Sequence, residues 1–173
     1  MQSGYVTSEG DDLYFEVRGR GPPLLMIPGG GGDGHSYAAI AERLCEDFKV
    51  ILYDRRAGGR STMNHPDHFE IAQQSRDAIA VLHATGETVA FVLGNSSGAV
   101  IALDIATTYP EVVMAIVAHE PPLARVHPDS AKWAVVLSKC VFTVASLRSC
   151  HCDAEILLRR WLRHLIHCCV PGD

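Results

Sequence analysis

Four short apolar runs, separated by segments of helical spacing, constrain the fold of this chain more than any other feature. The runs occupy residues 24–27, 50–53, 88–93 and 112–118. Continuous apolar runs of this length are typical of strands that are buried on both faces of a parallel sheet. Because helices must connect such strands across the sheet, the alternation predicts an α/β fold.

The segments between these runs supply the helices, and the segment before them supplies a hairpin. Apolar residues recur at helical spacing after Ser36, which is predicted to cap the first helix, and within residues 69–84 and 99–108. Residues 5–7 and 13–17 alternate apolar and polar side chains across a glycine-containing break, which predicts a β-hairpin. We therefore expect a mostly parallel sheet with an N-terminal hairpin and flanking helices.

The composition changes near residue 130. Five of the six cysteines lie between positions 140 and 169, and glycine is rare in this part of the chain. We predict an α/β core over residues 1–128 and a tail over 129–173, with helices at 133–147 and 154–166. The tail either begins a cap over a pocket or is not the native continuation of the domain. The second helix is amphipathic and basic, which fits a packed helix with a solvated face better than membrane docking.

Composition and charge exclude several classes of protein. A chain of 173 residues with 47% apolar residues is expected to form one folded domain. The net charge of −5 argues against nucleic-acid binding. No apolar run approaches the roughly 18 residues of a membrane helix. The first residues lack a basic and apolar leader, so a cytoplasmic location with reduced thiols is expected.

The motif that carries chemistry is Gly94-Asn95-Ser96-Ser97-Gly98, which fits G-x-S-x-G. It lies between a predicted strand and a predicted helix, where a sharp turn forces the serine into a strained conformation. The hydroxyl of Ser96 is then held clear at the carboxyl end of the sheet. The N–H of Ser97 lies at a helix N-terminus and can stabilise an oxyanion. The alternative is a tight packing turn without catalysis.

Three further segments follow the other buried strands in the same order as in a known family. They are the Pro-Gly-Gly sequence at 28–30, the Asp-Arg-Arg-Ala-Gly-Gly-Arg-Ser sequence at 54–61 and the His-Glu-Pro-Pro sequence at 119–122. Together with the G-x-S-x-G turn, they make residues 10–123 resemble the α/β-hydrolase fold family. The resemblance implies that the sheet has an α/β-hydrolase-like arrangement.

The chain departs from the pattern of the family at two positions. Pro28 stands where family members usually carry histidine, which removes a hydrogen-bonding group that braces the loop. Ala57 stands where they usually carry glycine, which predicts a strained turn. In the same segment, we expect Asp54 and Arg56 to hold the loop rather than to contact a substrate.

The resemblance implies a serine hydrolase that acts on an ester, an amide or a similar small substrate. Ser96 would be the nucleophile, and the N–H groups of Ser97 and Gly30 would form the oxyanion hole. Glu120 is a candidate for the catalytic acid, although a structural glutamate at a Pro-Pro turn is the simpler interpretation. Family members of this kind need neither a metal nor an organic cofactor.

The histidine that should activate the serine is harder to place. In this family the order is serine, acid, histidine, and two more strand-helix units of about 30 residues each would carry the last two. Fewer residues than that follow the fourth apolar run, so we expect a sheet truncated after this strand, without the acid and histidine segments. His119 is expected at the sheet edge or bonded to a backbone carbonyl, and His35 at the start of a helix. The later histidines, His151, His164 and His167, lie in settings unlike the family's histidine loop.

Two further hypotheses follow from the last part of the sequence. The sequences Cys150-His151-Cys152 and His164-x-x-His167-Cys168-Cys169 carry soft ligands for zinc, but the C-x-C spacing is tighter than usual, so we predict no metal site. A sheet that stops after residues 112–118 would leave an open apolar edge. The alternative to an active hydrolase is therefore a non-catalytic protein that binds a ligand or associates with itself through this edge.

Overall fold

The computed structural model describes residues 1–64 and 70–123, in which Met1–Pro121 form a compact unit. The strands in these residues are β1 Gln2–Ser8, β2 Asp11–Arg18, β3 Pro23–Ile27, β4 Lys49–Tyr53, β5 Ala90–Asn95 and β6 Val113–His119. The α-helices are α1 Ala38–Leu44, α2 Ile71–Ala84 and α3 Ser97–Thr108. All four predicted apolar runs are strands, and the three predicted helices exist.

The strands form one sheet in the order β1-β2-β4-β3-β5-β6. The hairpin strands β1 and β2 pair antiparallel, and β2 pairs antiparallel with β4. The remaining neighbours, β4 with β3, β3 with β5 and β5 with β6, are parallel. The predicted α/β fold with a mostly parallel sheet, an N-terminal hairpin and flanking helices is therefore confirmed. The truncation of the sheet after β6 stays a prediction.

The hairpin closes with a tighter turn than its sequence suggested. Ser8 pairs with Asp11, so that Glu9 and Gly10 alone connect the two strands. Their φ angles of 46° and 85° lie in the left-handed region that two-residue hairpin turns require. The acidic pair after Gly10 belongs to β2, where Asp11 is buried.

Burial of the central strands explains their apolar sequence. The side chains from Leu24 to Ile27 in β3 are at most 1% exposed. A hydrophobic core cluster packs alternate residues of the sheet against α2 and α3. It includes Leu25, Ile27, Ile51, Val92, Val81, Leu82, Ile101 and Ile105. Elsewhere in the core Phe91 of β5 meets Phe48 edge to face, with the ring centroids 6.0 Å apart. The continuous apolar runs follow from covering both faces.

Two predicted boundaries near the serine motif were wrong. The strand predicted at 88–93 is β5 at Ala90–Asn95, and the helix predicted at 99–108 begins two residues earlier, at Ser97. The strand extends because Gly94 and Asn95 continue the ladder opposite Ala118 and His119. Small and polar residues hide this extension from the sequence pattern, since neither contributes to an apolar run.

The prediction that Ser36 caps the first helix was also wrong. A short 3-10 turn, Gly34–Tyr37, precedes α1, and its cap is Asp33, whose carboxylate accepts a hydrogen bond from the N–H of His35. The Ser36 hydroxyl instead donates to the carbonyl of Asp33. His35 does lie at the start of a helical segment, as expected.

The predicted tail, residues 129–173, lies outside the described residues. The predicted helices at 133–147 and 154–166, and the predicted boundary between 128 and 129, fall outside the described residues. Within the described ranges, each helix is too short or too polar to cross a membrane.

Candidate active site

A single residue, Ser96, connects β5 to α3. Its φ and ψ angles of 52° and −120° lie outside the helical and extended regions, and a non-glycine residue held there stores about 1–3 kcal/mol of strain. The N–H of Ser96 donates to the carbonyl of His119, at 2.8 Å, which fixes the turn to β6. The predicted sharp turn from strand to helix is thus confirmed.

The two glycines of the motif let α3 approach the sheet. A Cβ atom on Gly98 would lie 2.2 Å from the carbonyl oxygen of Ile27 in β3. A Cβ atom on Gly94 would lie 2.2 Å from the carbonyl oxygen of Gly98. Both distances are far below van der Waals contact, so the elbow requires glycine at both positions.

The glycine-rich loop after β3 lies directly against this elbow. A Cβ atom on Gly29 would lie 3.3 Å from the Cβ atom of Ser96, whereas one on Gly30 would meet nothing within 4 Å. The loop borders an open cavity of about 230 Å³. Its lining residues are Pro28, Gly29, Gly30, Gly31, Gly32, Asp33, Ser36 and Asn95. The structure therefore places the loop that contains Gly30 and the half-buried Ser96 side by side.

Ser97 contributes the start of the helix to the same place. It is the first residue of α3, and the first N–H groups of a helix have no acceptor inside the helix. Its side-chain oxygen is buried and has no hydrogen-bond partner among the described residues. The helix N-terminus is therefore a source of free N–H groups next to Ser96.

The turn after β4 also supports the glycine loop. The Asp54 carboxylate accepts hydrogen bonds from the N–H of Gly34 at 2.9 Å and from the N–H and Nε of Arg60 at 2.8 and 2.7 Å. Burial opposes ionisation of Asp54, but the bonds from Arg60 outweigh it and lower the pKa of the carboxyl group. Asp54 therefore holds the loop as predicted. Ala57 has a φ of 66°, which confirms the strained turn.

Arg56 also has the predicted structural role. Its buried guanidinium donates to both carboxylate oxygens of Asp77, at 2.9 and 2.8 Å, to the carbonyl of Ser8 at 2.9 Å, and to Asp11. The hydroxyl of Ser8 donates to Asp77 as well, at 2.6 Å. This ion cluster ties the hairpin and the β4 turn to α2.

Two residues of the site were missed by the sequence reasoning. Arg55 is buried, and its Nη2 atom donates to the carbonyl of Gly29 at 2.9 Å. Asn95 lines the cavity, and its Nδ2 atom lies 2.8 Å from Nδ1 of His119. For Arg55, a signal was available, since two arginines follow Asp54 in the segment after a buried strand. For Asn95, its place beside the serine in the motif was the signal.

The expectations for His119 and Glu120 have different outcomes. His119 lies at the end of β6, which is an edge strand of the described sheet, as one of its two expectations had it. Its Nδ1 atom bonds to the side-chain amide of Asn95, its neighbour in the β5–β6 ladder, rather than to a backbone carbonyl. An amide nitrogen only donates, so Nδ1 of His119 accepts. Glu120 is exposed, follows β6 with a φ of 51°, and has no described hydrogen bond to Ser96. Its role as an acid stays a prediction.

The other titratable candidates lie outside the described residues. They are Cys150, His151, Cys152, His164, His167, Cys168 and Cys169. Within residues 1–64 and 70–123, no group of three or more histidine, cysteine, aspartate or glutamate side chains could hold a metal ion.

Comparison with known proteins is consistent with this geometry. Residues 22–144 match a family model described as the alpha/beta hydrolase fold. The chain is 35% identical over 136 residues to the uncharacterized hydrolase YraK of Bacillus subtilis. The aligned region covers 78% of this chain and 50% of YraK. The chain is also 35% identical to RutD of Azorhizobium caulinodans, over 61% of this chain and 39% of RutD.

A solved structure shares the same arrangement. An alpha/beta hydrolase from Sphaerobacter thermophilus superimposes with a TM-score of 0.65 at 33% sequence identity, over 79% of this chain and 55% of that chain. The chain thus spans about half the length of this structure and of YraK, and 39% of the length of RutD.

Proposed function

The chain belongs to the α/β-hydrolase fold family, and from that premise we propose that it is a serine hydrolase with Ser96 as its nucleophile. The proposed substrates are small esters, amides or similar acyl compounds. The observation that carries the proposal is the strained turn at Ser96, which lies against the glycine loop. This loop and Asn95, the residue before Ser96, line an open cavity. Such strain is retained at a site where it positions a reacting group.

In the proposed reaction, the Ser96 oxygen attacks the substrate carbonyl and gives up its proton to a base. The oxyanion that forms is stabilised by the N–H groups of Ser97 and Gly30, which are supplied by two separate elements of the fold. The tetrahedral intermediate then collapses, its bond to the leaving group breaks, and the base gives the proton to that group. Water gives up a proton to the same base and attacks the acyl carbon, and the Ser96 oxygen leaves and recovers its proton. Hydrogen bonds of this kind act most strongly where they are preorganised, as at a helix N-terminus and a braced loop.

The identity of the base is the open part of the proposal. A serine hydroxyl is a weak nucleophile until a base removes its proton. Among the described residues, no histidine is hydrogen-bonded to the Ser96 hydroxyl, and His119 is bonded to Asn95 instead.

Labelling with a fluorophosphonate probe tests the proposal directly, because the probe reacts with activated serines. We expect the folded chain to be labelled, Ser96→Ala to lose all labelling, and Ser3→Ala to be labelled like the wild type. Ser3 is an exposed residue of β1, so its substitution controls for nonspecific reaction. Equal labelling of Ser96→Ala would contradict the assignment of the nucleophile.

The second candidate is a non-catalytic protein, and the absence of a described base at Ser96 favours it. In this case, the cavity binds a ligand without turnover, and β6 pairs with a second copy of the chain. Among the described strands, β6 pairs with β5 on one side only, and Met114 on it is 42% exposed. Absence of labelling in well-folded protein, together with a concentration-dependent dimer in sedimentation experiments, would support this candidate. A labelled monomer would exclude it.

A further inference from the structure

The glycine loop of the site lacks the bracing side chain that histidine would provide at position 28. Asp54 holds the loop at Gly34, and Arg55 binds it at the carbonyl of Gly29. We infer that Arg55 is a positioning residue, which holds the carbonyl of Gly29 and thereby turns the N–H of Gly30 toward the cavity beside Ser96. The catalytic meaning of this inference rests on the proposed function, whereas the orientation of the peptide does not.

The hydrogen bonds of the Gly29 carbonyl fix its direction. The oxygen accepts from Nη2 of Arg55 at 2.9 Å and from the N–H of Gly32 at 2.9 Å. The peptide between Gly29 and Gly30 is trans and planar, so its C=O and N–H groups point in opposite directions. Holding the oxygen toward Arg55 therefore directs the N–H of Gly30 away from Arg55.

Arg55 contacts the loop at a second point. Its own N–H donates to the carbonyl of Gly32 at 2.7 Å, so one residue binds both ends of the tight turn from Gly29 to Gly32. The guanidinium lies in the buried interior, whereas position 30 is open. Since Gly29 and Gly30 both line the cavity and Gly29 contacts the elbow, the outward direction leads to the cavity next to Ser96.

The burial of Arg55 is not explained by an ion pair. Within the described part of the chain, no carboxylate lies within ion-pair distance of it, and its Nε and Nη1 atoms have no hydrogen-bond partner. Burial accordingly lowers the pKa of its guanidinium. A buried charge without a counter-ion is costly, and the contact that it makes in return is the bond to the loop. Positioning of the loop is thus the role that its contacts support.

The test separates the orientation of the peptide from activity. Residual dipolar couplings measured by NMR on the whole chain report the direction of the Gly30 N–H bond relative to the sheet. We expect the Gly30 coupling to fit the structure in the wild type and in Arg55→Lys, which keeps a donor, and to deviate in Arg55→Met. Couplings of β3 and β5 should fit in all three proteins, which shows that each is folded. An unchanged Gly30 coupling in Arg55→Met, or a misfit in the wild type, overturns the inference.

Kinetics supply the second measurement. With p-nitrophenyl acetate, Arg55→Met should lower kcat with KM unchanged, by up to the roughly 100- to 1,000-fold cost of one lost oxyanion donor. Arg55→Lys should recover part of the loss. A rise in KM alone would contradict the positioning role. If the wild type hydrolyses nothing while its couplings behave as expected, the proposed function fails and the orientation of the loop stands.

Discussion

Arg55 and Arg56 are neighbours in the chain, but they lie in two regions that differ in how completely their buried polar groups are hydrogen-bonded. Arg56 belongs to the ion cluster with Asp77, Asp11 and Ser8, where donors and acceptors are matched. Arg55 belongs to the elbow region. There, among the described residues, two nitrogens of its guanidinium and the side-chain oxygen of Ser97 have no hydrogen-bond partner, and the backbone at Ser96 is strained.

The difference separates groups that stabilise the fold from groups that prepare a site. A substitution within a fully partnered cluster of buried charges destabilises the fold, because removing one partner leaves another buried charge without its counter-ion. Strain and unsatisfied donors lower stability, and a fold retains them where they have another use. We therefore expect substitutions in the ion cluster to change the free energy of unfolding, and substitutions at the elbow to change reactivity as well.

The largest effect on stability is expected for Asp77→Ala. Loss of this carboxylate leaves the guanidinium of Arg56 and the hydroxyl of Ser8 without their main acceptor in a dry interior. The free energy of unfolding in urea should fall by about 3–5 kcal/mol. Probe labelling of the remaining folded protein should not change, since the cluster does not reach the cavity.

The control for Asp77→Ala is Glu87→Ala. Glu87 pairs with Lys49 at 2.7 Å, but both side chains are about a quarter exposed, so the loss should stay below about 1 kcal/mol. Equal losses for the two variants would mean that burial of the Arg56 cluster contributes nothing beyond a surface pair.

Gly98→Ala is expected to affect both properties. The added methyl group would overlap the Ile27 carbonyl, so that α3 must move away from β3. Overpacking of this kind costs about 1–3 kcal/mol. Because the movement displaces the Ser97 N–H from the elbow, labelling of folded protein should also slow. Gly86→Ala is the control for stability alone. Its Cβ would meet nothing within 4 Å, but its φ of 83° makes an alanine there strained, and Gly86 follows α2 rather than the elbow.

Unchanged labelling in folded Gly98→Ala would separate the packing of the helix from the chemistry of the elbow. It would then weaken the assignment of the Ser97 N–H to the oxyanion hole.

The smallest effect is expected for Ala57→Gly, which removes the left-handed strain of the β4 turn. The strain relieved, about 1–2 kcal/mol, exceeds the entropic cost of glycine, about 0.5–1 kcal/mol, so thermal unfolding should shift slightly upward. Ala39→Gly, at an exposed position of α1, should shift it downward by the entropic cost. A downward shift in both variants would indicate that Ala57 makes contacts that outweigh its strain.

Much of the fold was predictable, because its signals are local. The apolar runs in β3, β4 and β5 are strands covered on both faces, where no position suits a polar side chain, whereas the run in β6 is only half-buried and exposes Met114. The elbow was predictable because its motif lies in one short segment between a strand and a helix, although the contact that requires Gly98 is with Ile27 in β3. The boundaries failed where Gly94 and Asn95 extend β5, since their ladder partners are in a distant segment.

The partners of the polar side chains were not predictable in the same way. Arg55 and Arg56 are identical in type and adjacent, yet one meets a carbonyl 26 residues away and the other a carboxylate 21 residues away. The Ser36 cap failed because Ser36 lies inside the 3-10 turn that precedes α1, where its hydroxyl donates to the carbonyl of Asp33. The oxyanion roles of Gly30 and Ser97 and the acid role of Glu120 stay predictions, which the experiments above address.

The sequence by itself determined the layered α/β architecture and the turn at Ser96, because hydrophobic periodicity and the steric requirement for glycine at position 94 act over a few residues. Only the tertiary structure decided that Asn95 bonds to His119 and that Arg55 lies under the Gly29 carbonyl. The physical reason is that a hydrogen bond needs its donor and acceptor within about 3 Å in a defined direction. That condition is met across the sheet only after the strands have paired in register.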